Sequence, residues 1–116
     1  MATPDIIDLS TFRDLKDLMG PDLGDLIDTY TTETRDVIAR LRQALAAGDA
    51  EAFRRLAHSI KSSSASLGAL SFSQQARDLE MVGKSGDLSG AGPGLDALAA
   101  GFLHVKENLE ALKNEP

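Results

Sequence analysis

The chain has 116 residues, with 18 acidic against 12 basic side chains and a formal net charge of −6, a length typical of one domain. It contains no cysteine and two histidines, which excludes disulfides, zinc knuckles, thiol chemistry and an all-histidine zinc site. A net acidic chain is poorly suited to binding nucleic acid, because neutralising phosphates requires a clustered basic surface. Apolar residues make up 42% of the chain and aromatic residues 4%, which predicts a folded, aliphatic core that suits helices.

The first residues of the chain carry no targeting pattern. The segment from Met1 to Asp8 has neither a basic start nor a long apolar run, so we expect no secretory signal peptide. No stretch approaches the roughly 20 apolar residues that are needed to span a bilayer. We therefore expect a cytoplasmic protein without a membrane partner, folded as a single domain over residues 1–116.

Apolar side chains in the first part of the chain recur at steps of three and four residues, which is helical spacing. A short helix is predicted over about residues 8–19. Gly20 and Pro21 interrupt it, because glycine ends helices and proline favours the first turn of a new one. A second, long helix is predicted over about residues 22–47. Gly48 follows it, at the position where a left-handed residue commonly ends a helix.

Two further helices are predicted in the middle of the chain, over about residues 49–67 and 71–84. Asp49 is predicted to be the N-cap of the third helix, because its side chain can accept a hydrogen bond from the first turn. Ser71 and Gln74 have the spacing of a capping box at the start of the fourth helix.

The segment from Gly83 to Gly94 is rich in glycine and serine and is predicted to be a loop. The last helix, over about residues 94–113, carries apolar side chains at alternating steps of three and four. Four long amphipathic helices bury their apolar stripes most simply as an antiparallel up-down bundle. The predicted fold class is therefore all-α, a four-helix bundle with a short additional N-terminal helix that covers one end.

The third helix turns one histidine away from its apolar stripe. A helix advances about 100° per residue, so His58 points roughly 140° from the core direction set by residues such as Phe53 and Ile60. Lys61 and Ser62 follow it by three and four residues and lie beside its imidazole. A nearby cation favours the neutral, nucleophilic imidazole and offsets the charge of a bound phosphoryl group. An exposed histidine is commonly only a solvated side chain, so this spacing alone leaves its function open.

The sequence around this histidine resembles a known signature. Residues 57–64 read Ala-His-Ser-Ile-Lys-Ser-Ser-Ser, and Leu-Gly-Ala follows at 67–69. The order of alanine-histidine, an aliphatic residue, lysine, a small triplet and leucine-glycine-alanine is similar to that of histidine-containing phosphotransfer (HPt) domains. The resemblance extends to Ala-Gly-Asp at 47–49 and to Leu-Glu at 79–80 in the next helix. HPt domains are four-helix bundles that relay phosphate between receiver domains.

The resemblance implies a role for each matching residue. His58 would be the phosphoacceptor, Lys61 the phosphate-stabilising cation and Gly68 the structural helix stop. The family usually has glycine directly after the lysine, where this chain has Ser62. Its side chain would either hinder the close approach of a receiver or hydrogen-bond the phosphoryl group. Glu80 falls where family members often place a polar side chain near the imidazole, but a carboxylate would repel phosphate, so we assign it no site role.

The resemblance also implies the partners, which are response-regulator receiver domains and a hybrid histidine kinase. Arg54, Arg55 and Ala65 share the exposed side of the third helix and are predicted to form the docking face. The receiver would bring the Mg²⁺ and the acidic residues, so no cofactor or metal is expected on this chain. The chain has no nucleotide-binding motif, which predicts a phosphotransfer intermediate without autokinase activity rather than an enzyme.

Two alternatives remain at this stage. The first is a non-catalytic helical adaptor that binds receiver or histidine-kinase domains through the same face without accepting phosphate. The second is the dimerisation domain of a histidine kinase, which builds its bundle from two chains. One chain already supplies enough helices here, so a monomer is predicted.

The charge around the histidine differs from that of the whole chain. Between Asp49 and Gly68 there are three basic residues and two acidic ones, although the chain as a whole carries −6. This local excess predicts a small positive face, suited to an acidic protein partner and a phosphoryl group.

Overall fold

The structure is a computed structural model that describes residues 6–115. These residues form helices joined by short turns and contain no strand, so the predicted all-α fold is confirmed. The predicted domain also includes residues 1–5 and 116, which lie outside the described residues. In chain order the helices are α1 (Leu9–Met19), α2 (Leu23–Ala47), α3 (Ala50–Ser66), α4 (Leu70–Ser85) and α5 (Gly92–Lys113), with a 3₁₀ turn, Gly20–Asp22, between α1 and α2.

The helix ends agree with the predicted caps at two places and differ at a third. Gly48 ends α2 in the left-handed conformation, and the Asp49 carboxylate accepts a hydrogen bond from the backbone of α3 at 3.0 Å. At the start of α4, however, the N-cap is Ala69, whose side chain makes no capping bond. The predicted capping box at Ser71 is therefore wrong, because α4 begins one residue earlier, at Leu70, and Ser71 lies inside its first turn.

The predicted loop over residues 83–94 is shorter in the structure. Helix α4 continues through Gly83 to Ser85, and α5 already begins at Gly92. Gly83 is buried inside α4, where its missing side chain serves packing rather than flexibility. Pro93 lies in the first turn of α5, where its missing N–H would have no helical partner in any case.

The four long helices form a closed ring in which α3 packs against α2 and α4, and α5 packs against the same two helices from the other side. Two ion pairs join α2 to α5, Arg42 with Asp96 at 3.0 Å and Lys113 with Asp28 at 2.7 Å. The core consists mainly of aliphatic side chains and a few phenylalanines. Its most completely buried large members are Phe12, Phe53, Ile7, Ile27, Leu41, Leu95, Leu98 and Leu109.

Helix α1 packs against α2 and α3 and is tied to the end of α3 through the backbone. The N–H of Asp8 donates to the carbonyl of Gly68 at 2.8 Å. Gly68 lies two residues beyond α3 with φ +89°, and a Cβ there would lie only 2.8 Å from the carbonyl oxygen of Asp8. Glycine suits this position for two reasons. Other residues rarely adopt this φ, and the carbonyl oxygen of Asp8 leaves no space for a Cβ.

Helices α3 and α4 share the most extensive contact in the bundle. The hydroxyl of Ser73, which is partly buried, contributes to it by donating to the backbone carbonyl of Lys61 at 2.8 Å. Further along, Gly83 lets α4 approach the backbone of Arg54. Because the two helices are antiparallel neighbours, this contact places the middle of α4 directly beside His58.

Candidate functional site

The site is built on the exposed side of α3. His58 lies between the buried residues Ala57 and Ile60, yet 55% of its side chain is exposed, in agreement with the helical angle. The backbone of His58 is thus held by a packed helix while its ring reaches solvent. An imidazole held in this way is accessible to another protein and has little freedom to move away.

A carboxylate from α4, that of Glu80, links His58 to Lys61, the two residues of the α3 signature. One oxygen of Glu80, Oε2, lies 2.5 Å from Nδ1 of His58, and the other, Oε1, accepts a hydrogen bond from Nζ of Lys61 at 2.7 Å. Only 12% of the Glu80 side chain is exposed, against 28% for Lys61. The three side chains therefore form one hydrogen-bonded triad, His58–Glu80–Lys61, with its carboxylate in the middle and nearly buried.

The pKa of Glu80 is lowered from its ordinary value, mainly by the hydrogen bond from Lys61, with a further contribution from His58 and against the effect of burial. The carboxyl group is therefore ionised at neutral pH. An ionised carboxylate only accepts hydrogen bonds, so the hydrogen in its contact with His58 belongs to Nδ1 of the imidazole.

This contact determines which ring nitrogen of His58 can act as a nucleophile. In the neutral imidazole one nitrogen carries the hydrogen and the other carries a free electron pair. With the hydrogen on Nδ1, the electron pair is on Nε2. Nε2 has no hydrogen-bond partner among residues 6–115. In its neutral form the ring thus presents its unprotonated nitrogen on the exposed side of α3.

Ser62 lies one turn beyond His58 and is exposed. Its neighbours Ser59, Ser63 and Ser66 all donate their hydroxyls to backbone carbonyls within α3. The hydroxyl of Ser62 makes no such bond to any residue between 6 and 115. It is therefore the serine hydroxyl on this face that is free to bind a group placed next to the imidazole.

The residues of the predicted docking face lie on α3, where the charges of the two arginines are partly neutralised. Arg54 forms an ion pair with Glu51 at 2.5 Å, and Arg55 lies 3.9 Å from the same carboxylate. Ala65 is partly buried on the same helix. Lys61 is paired with Glu80, so the local positive excess predicted from α3 alone disappears once α4 supplies its carboxylate.

Glu80 is the residue that sequence reasoning missed as part of the site. The resemblance placed a polar side chain near the imidazole at this position of the fourth helix. No role was assigned to Glu80, because a carboxylate would repel the phosphoryl group. In the structure the carboxylate meets the ring at Nδ1, away from Nε2, and Lys61 balances its charge. The only other histidine of the chain, His104, is exposed on α5, which packs against α2 and α4.

Between residues 6 and 115, no three or more histidine, aspartate or glutamate side chains are grouped so that they could hold a metal ion. None of the helices in this range combines the length and apolar character that crossing a membrane requires.

Comparison with known proteins places these features in context. The family model described as Hpt domain matches residues 25–115 of the chain. Among solved structures, the crystal structure of histidine-containing phosphotransfer protein B from Pseudomonas aeruginosa is similar at a TM-score of 0.92 and 26% sequence identity, over 96% of each chain. A search of curated protein sequences gives no significant match.

Proposed function

The chain belongs to the Hpt domain family, which assigns it to histidine phosphotransfer in phosphorelays, and we propose that His58 is the residue that carries the phosphoryl group. It would accept this group from the aspartyl phosphate of one receiver domain and pass it to the aspartate of another. The observation that carries the proposal is the exposed imidazole of His58, whose Nδ1 is held by Glu80 while Nε2 is free.

In the proposed mechanism a phosphorylated receiver docks on the face formed by Arg54, Arg55 and Ala65. Nε2 of His58 then attacks the phosphorus in line with the bond to the aspartyl oxygen. Such a transfer depends mainly on positioning and on charge stabilisation. The receiver supplies Mg²⁺ and its acidic residues, and this chain supplies the nucleophile, a cation and a shaped surface.

Lys61 is proposed to stabilise the phosphoryl group. In the resting protein its ammonium group is bound to Glu80, only one helical turn from the imidazole. A phosphoryl group on Nε2 adds close to two negative charges, and a partly buried ammonium beside it lowers the free energy of that charge. The free hydroxyl of Ser62 supports the second of its two predicted roles, a hydrogen bond to the phosphoryl group.

The experiment that tests the function is transfer from a radiolabelled, phosphorylated receiver domain. We expect acid-labile, alkali-stable label on the wild-type chain and none on His58→Gln. His104→Gln is the matched control, because it removes the other histidine, and it should accept label like the wild type. Label on His58→Gln, or none on the wild type with any receiver of the same cell, would contradict the proposal. Receiver binding without any label would favour the adaptor.

The expectations about partners, location, oligomeric state and autokinase activity stay predictions. These are the receivers and the hybrid histidine kinase that act with this chain, a cytoplasmic location, a monomeric state and the lack of autokinase activity. A light-scattering mass near 12.3 kDa is expected for the monomer. A mass near twice that value would instead favour the dimerisation domain of a histidine kinase.

A further inference from the structure

The basic side chains on the exposed side of α3 are already paired with carboxylates. Lys61 is bound to Glu80 at 2.7 Å, and Arg54 is paired with Glu51 at 2.5 Å. Arg55 lies 3.9 Å from the same Glu51 carboxylate. Because each carboxylate offsets the charge of its neighbour, the field that α3 alone exerts on an acidic partner is small.

Helix α4 carries two basic side chains without such a partner, Arg77 and Lys84. Both are exposed, and neither forms an ion pair or a hydrogen bond with any residue between 6 and 115. Arg77 lies three residues before Glu80 and Lys84 lies four residues after it. Residues at these spacings are neighbours on one side of a helix, so both cations share the side of α4 on which Glu80 reaches α3. The uncompensated positive charge near the imidazole therefore comes from α4.

The packing of α4 on α3 joins this side of α4 to the face that presents the imidazole. Glu80 contacts Nδ1 of His58 directly. Gly83, the residue before Lys84, lies against the backbone of Arg54, which is four residues before His58. The two helices thus present one continuous surface, with the imidazole on α3 and the unpaired cations on α4.

The spacing of the two cations suits a protein partner with several negative charges. Arg77 and Lys84 are seven residues apart, which is about 10 Å along the helix axis. Met81 lies between them in the chain, and 55% of it is exposed, so the surface also offers a flexible apolar contact. The receiver domain of the proposed function has acidic residues around its aspartate, and these negative charges complement the unpaired cations.

On the basis of the proposed function, we propose that Arg77, Met81 and Lys84 form a docking surface on α4 that attracts the acidic face of a receiver domain and holds it over His58. The two cations act on the encounter and on the affinity, since charges steer association over distances longer than a hydrogen bond. The chemical step is left to the groups on α3. Arg77 and Lys84 are therefore residues of partner recognition and not catalytic residues.

Lys84 also has a structural use that the test must separate from docking. It lies in the last turn of α4, where a cation stabilises the end of a helix. Arg77 lies in the middle of the same helix and has no such effect. A structural role changes the free energy of unfolding in urea, whereas a docking role changes how the receiver binds.

The test measures the association of a fluorescently labelled, unphosphorylated receiver domain by stopped flow. Wild type is compared with the double variant Arg77→Gln/Lys84→Gln at ionic strengths of about 0.02 M and about 0.5 M, where charges act over about 20 Å and about 4 Å. We expect the association rate constant of the double variant to be about tenfold lower at low salt and within about twofold of wild type at high salt.

Arg35→Gln is the matched control, because it removes the same kind of charge from another side of the bundle. Arg35 is exposed and makes no ion pair within residues 6–115. It lies seven residues before Arg42, whose ion pair with Asp96 places this side of α2 next to α5. We expect this control to associate within about twofold of wild type. Arg77→Lys keeps the charge, so it should also bind like the wild type.

A second readout follows phosphotransfer itself. Transfer from a phosphorylated receiver is measured over a range of receiver concentrations in wild type and in the double variant. We expect the KM for the receiver to rise about tenfold and the rate at saturating receiver to change by less than about twofold, because the substitutions weaken docking and leave the reacting groups in place.

The outcomes separate this inference from the proposed function. Equal association of wild type and double variant at low salt, or an equal loss in Arg35→Gln, would overturn the docking surface even if His58 accepts the phosphoryl group. A variant that is less stable in urea but associates normally would also overturn it and leave Lys84 a role at the helix end. Conversely, salt-dependent binding through Arg77 and Lys84 to receivers that never label His58 would support the surface and overturn the proposed function.

Discussion

The hydroxyl of Tyr30 in α2 lies 2.6 Å from the hydroxyl of Ser64 in α3, and both residues are buried. Ser64 is completely inaccessible to solvent and lies six residues after His58 in the same helix. Two buried hydroxyls can form this hydrogen bond only when the two helices lie in one particular position relative to each other. It therefore helps to hold α3 in register against α2 while the opposite side of α3 presents the imidazole.

Removing either hydroxyl should destabilise the fold. In Tyr30→Phe the buried hydroxyl of Ser64 loses its partner, and we expect a loss of about 1–2 kcal/mol in the free energy of unfolding. Ser64→Ala should have a smaller effect, because Tyr30 also hydrogen-bonds Thr34. Urea denaturation of both single variants and of the double variant measures the coupling. The double variant should cost less than the two single variants added together, and strict additivity would contradict the bond.

The same tyrosine predicts a loss of stability in alkali. Burial raises the pKa of Tyr30 from 10.0 to about 12, against the opposing effect of its hydrogen bonds to Ser64 and Thr34. Above pH 10.0 the unfolded chain therefore releases a proton that the folded chain retains until about pH 12. The stabilisation is complete below this interval and is lost as the pH rises through it. Unfolding curves of wild type and Tyr30→Phe should converge between these pH values, and parallel pH profiles would contradict the assignment.

Gly83 should tolerate no side chain. A Cβ at this position would lie 2.8 Å from the backbone nitrogen of Arg54 and 2.9 Å from its Cα, and backbone atoms cannot move aside cheaply. We expect Gly83→Ala to lower the free energy of unfolding by about 1–3 kcal/mol, despite the better helix propensity of alanine. Gly24→Ala in α2 is the control, because its Cβ would make only an ordinary contact of 3.5 Å. Equal stability of the two variants in urea would show that α3 and α4 are not tightly packed there.

Lys61→Ala should slow phosphotransfer while leaving the fold intact. The substitution removes the counter-charge of the phosphoryl group and the partner that orients Glu80. We expect the rate of transfer from a phosphorylated receiver to fall about tenfold, with unchanged circular dichroism. Lys106→Ala on α5, which packs against α2 and α4 rather than beside His58, provides the control and should transfer at the wild-type rate. An unchanged rate in Lys61→Ala would remove its proposed role.

Ser62→Ala distinguishes the two roles that the sequence left open for this serine. The free hydroxyl favours a hydrogen bond to the phosphoryl group, so we expect slower transfer by about three- to tenfold. Ser66→Ala is the control, because its hydroxyl already donates to the carbonyl of Ser62 at 3.1 Å. Ser62→Gly additionally removes the Cβ. If that variant transfers faster than wild type, the side chain is a hindrance to docking and the hydrogen-bonding role is wrong.

Several features followed from local patterns in the sequence. Apolar side chains at steps of three and four residues predicted each long helix. Gly48 and Asp49 correctly marked the boundary between α2 and α3. The angle of His58 relative to Phe53 and Ile60 placed its ring in solvent. These predictions succeed because helical geometry, capping and amphipathicity depend on residues within one or two turns of each other.

Other features depended on contacts between distant parts of the chain. Gly83 was assigned to a loop from its local composition, but its place is decided by the backbone of Arg54, against which α4 packs. The predicted positive face was likewise changed by Glu80, which comes from another helix.

The sequence by itself therefore determined the all-α bundle, the exposed histidine and its resemblance to a phosphotransfer family, because each depends on the spacing of residues that are close together in the chain. Only the tertiary structure decided that Glu80 joins His58 and Lys61 in one triad and leaves Nε2 as the open ring nitrogen. The physical reason is that hydrogen-bond partners and charge balance depend on how closely two helices pack, which no residue spacing within one helix specifies.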